Sequence, residues 1–466
     1  MLPRTLVVLL LLIGAAWGQS PAQSFEDRFQ QIVKEADREQ LYRLFWALPK
    51  GGDLHHHFSL AVPADVWLRS VIEARGNLFY TRLRTASCAG DDAPFLRFLT
   101  IQRSTWAKLP LCRQAEYTPM PELTESQKSE WMSSLVLDKS GEGRNEFFEA
   151  IVPRMGEINR DPKVLADAVA EMLRRTAAEG VRYVETQYWP VNLMDATGRT
   201  LSEDEGAEVM RGILGRPEVK ATGIQVRLQA PLIRFRPDAE LALERAYRFV
   251  DRHRDLWKGI NLVGREDNDK GYALRFLDTF RRMRRQYPGI HLSIHAGEKD
   301  SPGREVRDTL LLGAERIGHG LNLITDPEGM LLARTGKFLL ETQLISNKLL
   351  EYTPDLSKHP FPEYLRTGIP VCLNTDDPMA WDSNLTDEYV TAVSTFHLSW
   401  DEVVGLGRNS LAFSFAEPPL KKRMLEEYER DVLAFEKRMQ GDWKAELEKV
   451  QARPSGYANR AILAGH

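Results

Sequence analysis

The sequence predicts an α/β protein built on a (β/α)8 barrel of the TIM type, with an N-terminal helical extension, a long insertion after the first strand and C-terminal helices. Three observations carry this. Eight short apolar runs recur between residues 51 and 377, and helix-compatible stretches such as GYALRFLDTFRRMRRQY separate most of them. Strands that alternate with helices make parallel βαβ units. No GxGxxG loop follows any of the runs, which argues against a doubly wound dinucleotide-binding sheet and for a closed barrel.

In chain order, residues 1–18 have the parts of a secretory leader: Arg4, an apolar run from Leu6 to Leu12, and small residues before a cut. The apolar stretch is shorter than the roughly 20 residues a membrane span needs, so the expectation is an exported protein, periplasmic or secreted, with no membrane segment once the leader is removed. Residues 19–48 form the helical extension, where Phe25, Phe29, Ile32, Val33, Leu41, Leu44 and Phe45 recur near a helical period. The barrel proper is expected over 49–416, with strands at 51–58, 181–189, 224–230, 259–264, 289–297, 316–321, 337–344 and 370–377. The interval 59–180 is too long for one strand-to-helix connection; extra helices are expected there, with an insertion at about 80–130. Cys88 and Cys112 fall in that insertion and can bridge in an oxidising compartment, whereas Cys372 in a strand-like run reads as a buried thiol. Residues 417–466 make a charged helical tail with Leu420, Met424, Tyr428, Phe435 and Met439 as its docking stripe.

Composition excludes several partners. A net charge of −4, with 62 basic against 66 acidic residues, gives no electrostatic footprint for nucleic acid or an anionic membrane. No CxxC pattern is present, so a zinc site built on cysteine is not expected.

In a parallel barrel the chemistry gathers at the C-terminal ends of the strands. Those ends hold His55 and His57, Glu185, Gly264, His295 with Glu298, His319, and Asp376 with Asp377. Side chains alternate along a strand, so His55 and His57 face one way and His56, expected to tolerate replacement, faces the other. Three imidazoles and one carboxylate, His55, His57, His295 and Asp376, suit Zn²⁺, which lowers the pKa of water to roughly 7. His319 is placed to take a proton from that water and Glu298 to protonate a substrate nitrogen. Glycines on both sides of His319 suggest that something approaches the backbone closely there. Asp376 and Asp377 before Pro378 also read as a helix start, and Glu185 reads equally as a buried carboxylate or a catalytic one. His253, His291, His359 and His397 have no such context and read as structural.

The segments PKGGDLHHHF (49–58), INLVGRED (260–267), HAGE (295–298), ERIGHGL (315–321), ISNKLL (345–350), LNTDDP (373–378) and RNSLAFSF (408–415) follow one another in the order of a known family. On them the sequence resembles the adenosine deaminase family of the amidohydrolase superfamily, and most of all its secreted branch, the adenosine deaminase-related growth factors. The resemblance implies one zinc per chain on His55, His57, His295 and Asp376, with Glu298, His319 and Asp377 as the catalytic groups. It implies that Glu298 protonates purine N1, that Asp377 contacts N7 and the water, that the Gly264 N–H reaches N3, and that His57 also borders the substrate. The implied reaction is hydrolysis of a cyclic amidine: water replaces the amine at C6 of adenosine or 2′-deoxyadenosine, giving inosine and ammonia.

The chain departs from the family at three places. Ser59 stands where the intracellular enzymes have an Asp that contacts the ribose 5′-hydroxyl, Gln187 where an Arg is common, and Gln343-Leu344 where many members have Cys-Pro. These departures keep open another aminopurine or a modified adenine nucleoside as substrate. An extracellular growth-factor-like binding protein is the non-catalytic alternative. Absence of a Lys at the end of the fourth strand argues against a two-metal site. Whether the N-terminal helices pair two chains into a homodimer is not decided by the sequence.

Overall fold

A computed structural model describes residues 25–464 apart from 75, 86–87, 89–94, 267–269 and 300. The leader expected over 1–18 lies outside the described residues. Eight strands form one sheet in the order β1 (Gly51–His57), β5 (Val181–Gln187), β6 (Gln225–Ile233), β7 (Trp257–Val263), β8 (His291–Ala296), β9 (Arg316–His319), β10 (Leu339–Thr342) and β11 (Val371–Leu373). Every neighbouring pair is parallel. A parallel bridge between His56 and Asp376 brings the last strand back to the first, so the sheet is a nearly closed barrel. All eight expected strands are present, each within a few residues of its predicted limits.

The strands show two kinds of face. Outward residues such as Leu292 and Ile294 of β8 are fully buried under the surrounding helices, as a sheet covered by crossover helices requires. Inward residues such as Ser293, His295, Arg316 and Glu341 are equally buried but polar, and Glu341 accepts from Ser293 and forms an ion pair with Arg316. Apolar burial outside stabilises the fold, and polar residues inside serve the site.

The floor of the barrel depends on the sequence PKGG. Lys50 is fully buried and donates to the carbonyl oxygens of Phe45, Leu48 and Glu179, joining the preceding helix to the turn before β5. Burial pulls its pKa down to about 7. Gly51 has φ +71, and a Cβ there would lie 2.4 Å from the Gly407 carbonyl oxygen, so no other residue allows this approach.

The helical extension is two helices, Phe25–Glu35 and Arg38–Ala47, rather than one run. The break is chemical: Asp37 caps the second helix and exchanges hydrogen bonds with Gln40, a capping box. The first helix and the long helix Pro418–Gln440 meet on Trp400, whose ring stacks on Phe435 at 5.6 Å and touches Phe25 at 4.7 Å. That helix buries Met424, Tyr428, Val432, Phe435 and Met439; of the expected stripe only Leu420 is less than fully covered.

The insertion holds the expected extra helices and also a three-stranded antiparallel sheet in the order β3 (Thr100–Gln102), β2 (Phe79–Arg82), β4 (Tyr117–Pro119). Strands of three or four residues are too short for alternation to show in the sequence. Cys88 and Cys112 are bonded, and Cys372 is a buried free thiol. Because the bridge closes a 24-residue separation, replacing both cysteines with Ser is expected to cost about 3 kcal/mol of stability. Metal content should not change, since no barrel strand is involved; thermal unfolding with and without reductant, alongside metal analysis, checks both.

Candidate active site

β1 delivers His55 and His57 to the inside of the barrel, β8 delivers His295, and the turn after β11 delivers Asp376. Their ligating atoms all lie within 4.8 Å of one another. His55 Nε2 is 3.0 Å from His295 Nε2, His57 Nε2 is 3.2 Å from the same atom, and Asp376 Oδ1 is 3.4 and 3.1 Å from His55 and His57. Bond lengths of about 2.0–2.1 Å to a tetrahedral zinc give ligand–ligand edges of about 3.3 Å, so the spacing fits that ion.

The far side of each ligand is held as well. His55 Nδ1 bonds Glu341 at 2.8 Å, His295 Nδ1 bonds Asn261 Oδ1 at 2.8 Å, and Asp376 Oδ2 accepts from Ser346 Oγ at 2.7 Å. With Nδ1 of His55 and His295 occupied, Nε2 is the nitrogen that faces the cluster. Burial disfavours a charge on His55, yet the hydrogen bonds to Asp376 and Glu341 outweigh it and lift its pKa to about 10. Burial dominates at His57 and His295, whose pKa values are both lowered, so these two imidazoles are held neutral, as metal ligands must be.

The residues beside the cluster are acids and a histidine with unusual environments. Glu298 lies 3.6 Å from His319, and Glu298, His319 and Asp376 form a second compact group. Burial, then the charges of Asp376 and Glu266, pushes Glu298 well above the usual carboxylate range. Burial and the Asp376 charge do the same to Asp377. Burial takes His319 down to about 3, leaving it a neutral imidazole with neither nitrogen bonded to protein. His319 and Asp376 have φ of 67° and 61°, left-handed values that cost strain and recur at functional sites. Gly264 follows β7 with φ +96 at the same end of the barrel.

His55, His57, His295, Asp376, Glu298 and His319 gather at the C-terminal ends of the strands, and Gly264 and Asp377 follow β7 and β11 at that end. Glu185 is one layer below, bonded to Arg316, Tyr183, Gln229 and the Phe415 N–H, and so is a buried structural carboxylate. His253, His291 and His359 bond Asp204, Glu315 and Asn347 instead of joining the cluster. His56 faces outward as expected, but it is buried and bonds Thr186 Oγ1 at 3.0 Å, so its replacement is not free.

Sequence reasoning missed the residues that support the ligands: Glu341, Asn261 and Ser346, together with the buried pair Arg234–Glu266. Arg234 donates to the His295 carbonyl oxygen, and Glu266 accepts from the Glu298 N–H, which positions the turn after β8. Glu341 had a legible signal, a lone carboxylate inside an apolar strand run. Of the two glycines around His319, Gly318 makes room for the ring of His55, since a Cβ there would lie 2.6 Å from His55 Cε1, whereas Gly320 faces Leu340.

Two consequences are measurable. Gly318→Ala displaces the His55 ring and Glu341→Gln weakens its anchor, so each is expected to lower metal affinity about 10–100-fold in chelator competition. His56→Ala is expected to retain its metal while lowering the unfolding temperature.

With the geometry described, the chain can be set beside known proteins. The family model described as "Adenosine deaminase" matches residues 108–430. An adenosine deaminase of Enterococcus faecalis is 30% identical over 261 residues, covering 56% of this chain and 74% of that relative. One from Shigella flexneri is 28% identical over 300 residues, covering 60% and 87%. Among solved structures, an adenine deaminase from Arthrobacter aurescens aligns with TM-score 0.61 at 20% identity, over 83% of this chain and 99% of that one. Arabidopsis ADAL complexed with IMP aligns with TM-score 0.61 at 17% identity, over 84% and 99%. At such identities these two likenesses bear on the fold alone, whereas the family model spans well over half the sequence: this chain belongs to the adenosine deaminase family.

Proposed function

We propose that this protein is an exported, zinc-dependent adenosine deaminase of the secreted, growth-factor-related branch, acting on adenosine and 2′-deoxyadenosine. The observation that carries this reading is the convergence of Glu298 and His319 on Asp376, one of the four clustered ligands. The disulfide between Cys88 and Cys112 supports an oxidising compartment.

His55, His57, His295 and Asp376 would hold one zinc, which supplies Lewis acidity and brings the pKa of water to about 7. The rest of the chemistry belongs to the chain. Glu298, buried and pushed up, keeps its proton at neutral pH and donates it to purine N1, which makes C6 electrophilic. His319, held neutral, takes one proton from the attacking water as the water oxygen bonds C6, and that proton passes to the departing amine, which leaves as ammonia; the second water proton returns to Glu298 as the C6–O bond becomes a carbonyl. Asp377, also pushed up, donates as a neutral acid to N7, and the Gly264 N–H donates to N3. Burial of these groups excludes bulk water and strengthens each interaction.

A second reading keeps the chemistry and changes the amine. Ser59 Oγ is paired with Asn159 Nδ2 at 2.5 Å, so no carboxylate meets the sugar at that position, and a modified adenine nucleoside or another aminopurine is the alternative substrate. A panel of aminopurines compared by kcat/KM decides between them.

Zinc-loaded protein is expected to convert adenosine to inosine by absorbance and to contain one zinc per chain by metal analysis. Glu298→Gln should retain zinc and lose about 100-fold or more in kcat; retained turnover would refute its role. Chelation should abolish turnover and lower the unfolding temperature, with both restored by Zn²⁺.

A further inference from the structure

β5 and β10 each carry a glutamate followed two residues later by a glutamine: Glu185 and Gln187, Glu341 and Gln343. The two glutamates are fully engaged, bridged by Arg316 at 2.7 and 2.6 Å. The two glutamines are not. Gln187 is 4% exposed and Gln343 0%, yet in both the amide nitrogen and the amide oxygen lack a hydrogen-bond partner among the described residues.

Their direction follows from the strands. Gln187 stands in register with His57 on the neighbouring strand, and in-register residues of parallel strands share a face, so its side chain is on the inward side beside a metal ligand. Gln343 has φ −134 and ψ 90, which continues β10 in extended form. Two residues on from Glu341, it shares that inward face one step nearer the site. Both nitrogens of His319 and Oδ1 of Asp377 are likewise unpartnered at this end of the barrel.

A buried polar group without a partner destabilises the fold, and native interiors keep few of them. Two whole amides left open, one in register with His57 and the other two residues beyond the Glu341 that anchors His55, call for a partner from outside the chain. We infer that Gln187 and Gln343 are substrate-binding residues, and that they take an uncharged surface of the substrate offering donors and acceptors together. This rests on the deaminase reading above and narrows its substrate class.

A primary amide donates through nitrogen and accepts through oxygen, so its complement must do both. Ribose hydroxyls qualify, as does a heterocycle edge with an amino group beside a ring nitrogen. A phosphate dianion does not: it only accepts, and it would leave each amide oxygen facing negative charge. The two glutamines therefore fit the ribose hydroxyls or the heterocycle edge of a substrate rather than a phosphate group.

The test replaces each amide by a near-isosteric apolar chain, Gln187→Met and Gln343→Met, in the zinc-loaded protein. Against adenosine, kcat/KM is expected to fall about tenfold or more in each variant, mainly through KM. Zinc stays at one per chain, and the unfolding temperature of the substrate-free protein holds or rises, because an unpartnered amide has been removed. A loss that disappears with adenine or 2′-deoxyadenosine assigns the contact to the sugar; a loss that persists across sugars assigns it to the heterocycle. Either supports the inference. Turnover within roughly twofold of the parent, or a clear drop in unfolding temperature, would overturn it. If the parent protein deaminates no purine, the deaminase reading itself fails; if it does and the variants are unaffected, only this inference fails.

Discussion

Asp376 joins the two ends of the barrel. Its N–H donates to the His55 carbonyl oxygen and its own carbonyl accepts from the His57 N–H, each at 2.9 Å, while its side chain completes the ligand cluster. Barrel closure and the metal site are therefore one feature. The left-handed backbone of Asp376 is strained, and it persists because hydrogen bonds from β1 and from Ser346 over-determine it. Any shift of β11 relative to β1 would open the sheet and separate the ligands together.

Beneath the ligands lies a buried charged layer. Arg316 sits between Glu185 and Glu341 and over the Phe415 ring at 3.7 Å, and Glu341 passes the negative charge on to His55. Such ion pairs are poor sources of net stability, because removing the charges from water offsets much of the attraction. What they contribute here is orientation: His55 has one Nδ1 partner, one ring position against Gly318, and one nitrogen left for the cluster. The polar interior trades the apolar filling usual in a barrel for ligand geometry, and the apolar outer face of the strands carries the burial that stabilises the fold.

The barrel was legible because its signals are local. Alternation and short apolar runs repeat eight times, most of them separated by helix-compatible stretches, and side-chain alternation alone separated His56 from His55 and His57. Other features left weaker traces. The short strands around the disulfide have no period long enough to see. The break at Asp37 was written as a capping box, yet the apolar period runs across it. Asn261, Ser346 and Arg234 look like ordinary polar residues in sequence, since their partners lie 34, 30 and 61 positions away.

By itself, the sequence determined the strand order, the inward-facing histidines, the acids at the strand ends and the departures at Ser59, Gln187 and Gln343, because residue type and period-two direction are properties of single segments. Only the tertiary structure decided that the glycine beside His319 makes room for the ring of His55, that Glu185 belongs to the charged layer below the site, and that two glutamine amides are buried without partners. Each of these depends on what meets a side chain across the barrel. Closure sets those meetings, and no single strand encodes them.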